Sequence, residues 1–260
     1  MKNLRKYGLK PFNVAIIHGG PGAPGEIAPI ARELSTNIGV LEPLQRKTTI
    51  EGQIQELKIV LENYVEAPII LVGWSWGAWL SFIFAAKCPS LVKTLIIIGS
   101  GPFENKYAKN IMITRLNRLN NAEKKEVNLL IDILNDPSFG NKNKHMERFG
   151  KLIFKADSYN PINQENETIE YQFDTYEKIW KQAVELRSSG KLLKFGDEIL
   201  CPVVAIHGDY DPHPYKGVKE PLSNVINDFS FILLERCGHY PWVERYAKDR
   251  FFEILNNEVK

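Results

Sequence analysis

Ser75 stands in Gly73-Trp74-Ser75-Trp76-Gly77, between an apolar run at 69–72 and a second at 78–84. The first run has the length of a strand and the second is long enough for a buried helix, so the pentapeptide reads as strand, tight turn, helix. Glycines at its two ends remove side chains that would collide with the neighbouring strand and helix, and a turn of this kind lifts its serine above the sheet edge as a nucleophile. A serine hydroxyl attacks a carbonyl only when a base takes its proton and a carboxylate orients that base. Of the five histidines, His239 in Cys237-Gly238-His239-Tyr240-Pro241 follows the last strand pattern and is expected at the same edge as Ser75. His18, His207 and His213 sit in loops after other strands, and His145 lies in a helical stretch. Asp211 follows the run at 203–206 and precedes Pro212, further round its loop than Asp209, which reads as a turn residue satisfying its own backbone. The negative oxygen formed during acyl transfer needs fixed N–H donors, and the backbone groups of Trp76 and Gly20 are the candidates for that oxyanion hole.

Strand patterns must carry these residues to one edge. The β-branched run at 14–17 ends in His18-Gly19-Gly20-Pro21-Gly22, a weaker strand signal lies at 38–41, and further strands lie at 95–98 and 231–234. Helical segments fall at 27–34, 218–226 and 242–255. Between them, Ile50, Ile54, Leu57, Leu61 and Tyr64 recur at helical spacing behind Thr48-x-x-Glu51, a possible capping box. Strands apolar on both faces and alternating with helices predict a parallel sheet covered on both sides, with its ligand site beyond the C-terminal strand ends. From 103 to 195 the pattern is helical throughout, with an Asn120-x-x-Glu123 start and a polar loop at 158–168 containing Pro161. The expected organisation is a core of residues 1–102 and 196–260 interrupted by a helical cap at 103–195.

A chain of 260 residues with 33 basic and 31 acidic side chains can bury a large core without disulfides. The near-neutral balance and the absence of a dense basic block argue against nucleic acid as a partner. Cys88, Cys201 and Cys237 are odd in number and widely spaced, which predicts neither a disulfide framework nor a metal site and suits a cytoplasmic setting. The glycine-rich loop at 18–22 lacks the spacing of nucleotide-binding loops, so no cofactor is expected. No run has the length of a membrane span, and the first twelve residues hold no export signal.

Four motifs, namely the loop at 18–22, the elbow at 73–77, Gly208-x-x-Asp211 and Gly238-His239, resemble those of α/β-hydrolases. Their order, with a helical stretch between the second and third, is similar to that of the proline iminopeptidase group and its uncharacterised relatives. The resemblance implies a mostly parallel sheet flanked by helices, a cap over the site, and a triad in the chain order Ser75, Asp211, His239. It also implies a strand hairpin before residue 14, for which the short leading stretch implies a shortened sheet. Iminopeptidases hold acidic cap residues that bind the free amino group of the substrate. Here Glu147, Glu165, Glu167, Glu170 and Glu177 match no such pattern and read as a solvated helix face. Phe173, Tyr176 and Trp180 read as core packing in preference to pocket wall. The expected activity is hydrolysis of a small ester, amide or short peptide through an acyl-enzyme. An aminopeptidase releasing N-terminal proline is the rival within enzymes, and a non-catalytic ligand-binding protein on the same fold is the rival outside them.

Overall fold

The structure is a computed structural model that describes residues 3–162 and 171–260. Among these, seven strands form one sheet: β1 (Leu4–Tyr7), β2 (Phe12–Ile17), β3 (Gly39–Pro43), β4 (Ile69–Trp74), β5 (Val92–Ile98), β6 (Val203–Gly208) and β7 (Phe229–Leu234). Their order across the sheet is β1-β3-β2-β4-β5-β6-β7. Neighbours from β3 to β7 are parallel, and β1 alone is antiparallel.

Alternation along each strand divides its side chains between two covers. Ala15 and Ile17 of β2 pack on one face with α2 (Ile50–Tyr64) and α3 (Trp76–Lys87), which follow α1 (Ala28–Leu34) in the chain. Val14 and Ile16 point to the opposite face, where α1 packs and where the C-terminal helix also lies. The same division repeats in β4, with Leu71 on the first face and Ile70 and Val72 on the second. Both faces are therefore dry, which is why these runs are continuously apolar.

The helices between β5 and β6 are α4 (Ile111–Asn117), α5 (Asn121–Asn135), α6 (Asn143–Asp157), α7 (Phe173–Ser188) and α8 (Lys191–Lys194). A separate small core of Leu119, Val127, Leu130, Leu152 and Ala156 joins α5 and α6 to the residues around them. Asn120 and Glu123 form the capping box at the start of α5, each side chain bonding the other's backbone N–H. The chain returns to the sheet through β6, α9 (Lys216–Val225), β7 and α10 (Lys248–Glu258).

Two local expectations are corrected. Helix α2 is capped one residue later than its sequence signal, by Thr49, whose hydroxyl accepts the N–H of Gly52, so Thr48 and Glu51 make no capping box. Helix α10 starts at Lys248, because Pro241–Val243 form a separate short turn and Glu244 is turned inward to other work described below. The short leading stretch holds one strand and, among the described residues, no hairpin ahead of β2, in line with the shortened sheet expected: β1 lies at the sheet edge beside β3, with β3 between it and β2. Its charged residues Arg5 and Lys6 hid it from an apolar pattern, and charge is what an edge strand tolerates. Tyr7 ties it down by donating to Glu42 at 2.7 Å.

The polar loop expected at 158–168 is described only to residue 162. Glu165, Glu167 and Glu170 lie outside the described residues. The three cysteines are free. No described helix is long and apolar enough to cross a membrane.

Candidate active site

Ser75 is the residue between β4 and α3, and its backbone has φ 55 and ψ −114. A positive φ is costly for a residue with a Cβ, so the turn holds strain that the flanking packing must sustain. The glycines explain how the packing can be so close. A Cβ on Gly73 would meet the carbonyl oxygen of Gly77 at 2.3 Å, and one on Gly77 would meet that of Ile17 at 2.3 Å. Strand β2, the elbow and α3 thus touch backbone to backbone. Trp76 is the first residue of α3, where a backbone N–H has no partner within the helix. Ser75, Trp76 and Gly20 all line one cavity of about 920 Å³ beneath the inserted helices.

His239 and Asp211 come to the same place from the loops after β7 and β6. The Asp211 Oδ2 lies 2.6 Å from His239 Nδ1, and both residues are buried. Gly99, at φ 50, makes room for the pair: a Cβ there would lie 3.1 Å from His239 Nδ1 and 3.4 Å from Asp211 Oδ2. Among the sequence candidates the structure therefore brings Ser75, His239, Gly20 and Trp76 to one cavity wall, with Asp211 bonded behind His239. Asp209 is set apart. Its Oδ1 accepts the N–H of Cys237, so it ties the β6 loop to the β7 loop where a self-contained turn was expected.

Asp211 has more partners than a simple triad requires. Its Oδ1 accepts the backbone N–H of His213 at 2.9 Å and faces His213 Nδ1 at 2.8 Å, while His207 Nε2 is 3.5 Å from Oδ2. Burial alone would raise this carboxyl, but the surrounding histidines, His239 foremost, hold it well below the usual carboxylate range. Burial would lower His239 in turn, and the facing carboxylate overrides it and raises the imidazole above its ordinary 6.5. For His213 burial wins and the value falls to about 4, so this ring is neutral near pH 7. His207 is also lowered by burial, and its Nε2 donates to the carbonyl of His213 at 2.8 Å. Asp211, His213 and His239 present ligand atoms within 4.8 Å of one another. A cation there would have to displace the protons that bind the two rings to Asp211.

Sequence spacing did not reveal the residues that brace this pair. Arg115 of α4 makes a two-pronged contact with Asp157 at the end of α6, at 2.8 and 2.6 Å, and its Nη2 lies 3.5 Å from His213 Nε2. The backbone carbonyl of Asp157 accepts the N–H of His239 at 2.9 Å. The chain of contacts thus closes on itself, from Asp157 to Arg115, His213, Asp211, His239 and back to Asp157. Glu244, fully buried, accepts the N–H groups of Gly238, Tyr159 and Asn160, which fastens the histidine loop to the residues after α6. Trp74 donates its indole N–H to the carbonyl of His239 at 2.9 Å. Only Trp74 lay within a noted motif; the others are scattered single residues whose joint role exists only after folding.

The cavity wall corrects one further expectation. Tyr176 and Trp180 line it, and Trp180 is stacked nearly parallel on Trp79, with centroids 6.2 Å apart and an interplanar angle of 4°. Phe173 is buried in packing as expected. The tyrosine and tryptophan sit on the inward stripe of α7, but the cavity leaves that stripe partly uncovered. Of the acidic residues considered in the inserted helices, Glu177 is exposed, whereas Glu147 lines the cavity and is paired with Lys151 at 2.7 Å. Glu26, ahead of α1 in the core, also lines the cavity, and no sequence motif marks it. Its Oε2 is 3.9 Å from where a Cβ on Gly20 would stand, and burial raises its carboxyl to about 7 despite the nearby His239.

No model of a known protein family matches the sequence, and no curated protein matches it. Solved structures do. An α/β-fold family hydrolase from Bacillus anthracis is matched with a TM-score of 0.71 at 14% identity, over 99% of this chain and 94% of that one. The monoacylglycerol lipase of Paleococcus ferrophilus gives a TM-score of 0.65 at 14% identity, over 98% and 97% of the two chains. A meta-cleavage product hydrolase from Pseudomonas fluorescens gives 0.65 at 15%, over 99% and 94%. At such identities the likeness is one of fold: the chain has the α/β-hydrolase fold.

Proposed function

We propose that this protein is a cofactor-independent serine hydrolase that cleaves a small ester or amide through an acyl-enzyme. The observation that carries the reading is the strained Ser75 at φ 55, opening into a cavity that His239 also lines, with Asp211 bonded to the far side of that histidine. Strain of this kind persists only where the surroundings over-determine it, and it concentrates at working sites.

In this mechanism His239 Nδ1 donates to Asp211, which leaves Nε2 as the nitrogen that takes the Ser75 proton. The Ser75 oxygen attacks the substrate carbonyl, and the N–H groups of Trp76 and Gly20 stabilise the resulting oxyanion. His239 returns the proton to the leaving group as the tetrahedral intermediate collapses to the acyl-enzyme. Water, deprotonated by the same nitrogen, then releases the acid. The Asp211 carboxylate stays ionised throughout, and its charge stabilises the imidazolium formed in each step. The inserted helices at 103–195 act as the cap that shapes the substrate cavity over the core.

Replacement of Ser75 by Ala should lower turnover of p-nitrophenyl esters about a millionfold, by the precedent of serine protease knockouts. It should also abolish the mass increment left by a fluorophosphonate. Near-full activity in the Ala variant would sink the mechanism. A second reading, an aminopeptidase of the proline iminopeptidase type, draws support from Glu26, a carboxyl beside Gly20 that a substrate's free amine could pair with. Blocking the amino group of an aminoacyl amide separates the two, because only the aminopeptidase depends on it.

A further inference from the structure

Among the described residues, the basic side chains on the cavity wall are, with one exception, answered by a carboxylate. Arg115 is held by Asp157 at 2.6 Å, and Lys151 by Glu147 at 2.7 Å. The exception is Arg187, in the last turn of α7. It lines the same cavity as Ser75, its Nε is buried without a hydrogen-bond partner, and its guanidinium lies 5.5 Å from the centre of the Trp79 ring. Burial lowers its affinity for the proton, and among the described residues no carboxylate answers it as Asp157 answers Arg115.

Two ordinary explanations account for part of this. A cation in the last turn of a helix is favoured by the helix dipole, and an arginine stem packs well on an indole face. Neither requires an N–H donor to be withdrawn from water and left empty, which costs free energy unless something accepts from it. The position is also organised. Tyr176, Trp180 and Arg187 lie along one face of α7, and Trp79, one turn beyond Ser75 on α3, has Trp180 stacked beside it and Arg187 over its ring. A substrate whose carbonyl sits at Ser75 can run along this aromatic wall and end at the guanidinium.

We infer that Arg187 is the specificity residue for a substrate carrying a carboxylate remote from the scissile carbonyl, held by the guanidinium fork after the chain has crossed Trp79. The inference rests on the serine-hydrolase reading for the identity of the cleaved bond, but the binding site itself does not. A carboxylate suits the site better than a phosphate, because a single guanidinium answers one negative charge and the other cavity cations are already paired. The planar fork matches two carboxylate oxygens, a geometry that an ammonium does not offer.

The experiment has a catalytic and a binding arm. In the first, p-nitrophenyl monoesters of succinate, glutarate, adipate and pimelate are compared with neutral acyl esters of equal length, on the wild type, Arg187→Met and Arg187→Lys. At least one ω-carboxylated ester should exceed its neutral counterpart in kcat/KM. Arg187→Met should lower kcat/KM for it by about tenfold to a hundredfold, mainly through KM, as loss of a charge-assisted hydrogen bond does. The neutral esters should change less than about threefold, a difference that a merely structural role of Arg187 would not produce, and Arg187→Lys should fall between. In the second arm, monomethyl and dimethyl adipate are titrated into the Ser75→Ala protein, read by tryptophan fluorescence from Trp79 and Trp180. Only the monoanion should bind tightly, and Arg187→Met should remove the difference. If neutral esters turn over in a Ser75-dependent way while neither arm distinguishes the anion, the hydrolase reading stands and the carboxylate site is overturned. If no ester is cleaved but the monoanion binds through Arg187, the site stands and the hydrolase reading fails.

Discussion

Asp211 is surrounded by three histidines, and burial lowers each imidazole, yet only in His239 does the carboxylate outweigh that burial and raise the imidazole. The difference follows from geometry: His239 meets Asp211 Oδ2 at 2.6 Å, whereas His213 meets the other oxygen and is overruled by burial. A general base works in its neutral form, and the neutral fraction falls as pH drops through the pKa. The acid limb of kcat/KM on a neutral ester should therefore lie above pH 6.5. Asp211→Asn removes the raising charge and leaves the lowering effect of burial, so the limb should move to lower pH while kcat drops about 10⁴-fold. A pH-rate profile on both proteins checks this, and an unmoved limb in the Asn variant would show that another group sets it.

Helices α4 and α6 act on the histidine loop through the Arg115–Asp157 pair. Asp157 is fully buried and the Arg115 side chain is 15% exposed, so neither charge can fall back on water when its partner is lost. Arg115→Met should cost about 3–5 kcal/mol in urea unfolding, because it strands a buried carboxylate. Arg115→Met with Asp157→Leu should recover most of that stability, since a well-packed apolar pair replaces a buried ion pair at little cost. The backbone carbonyl that holds the N–H of His239 survives both changes. Equal loss in the single and double variants would mean that the helices are held by contacts other than this pair.

The molecule divides energetically along its cores. Strands β4, β5 and β6 are dry on both faces and α7 packs into the same main core, while α5 and α6 share a separate small core of five buried residues around Leu119 and Val127. Local opening free energies follow buried apolar packing. Amide hydrogen exchange should show β4 to β6 exchanging only with global unfolding and α5 exchanging earlier through a partial opening. Protection of α5 equal to that of β5 would mean that one cooperative unit spans both.

The apolar runs of β2, β4, β5 and β6, the capping box at Asn120 and the elbow glycines around Ser75 were legible in the sequence. Each is a short-range rule: neighbouring residues meet the requirement by themselves, whatever the rest of the chain does. The order of the loops along the chain also led to Ser75, Asp211 and His239, because parallel strands deliver their C-terminal loops to one edge. The edge strand β1 was hidden because its charges are compatible with exposure on one side. Arg115, Glu26, Arg187 and Glu244 were hidden for a different reason. A lone charged residue carries no periodicity, and whether it becomes an ion pair, a brace or an unanswered guanidinium depends on which helix packs over it. The sequence by itself determined the parallel part of the sheet and the residue types that gather at its edge. Tertiary structure alone decided which charges face the cavity and which are neutralised, because desolvation and pairing arise only where distant segments meet.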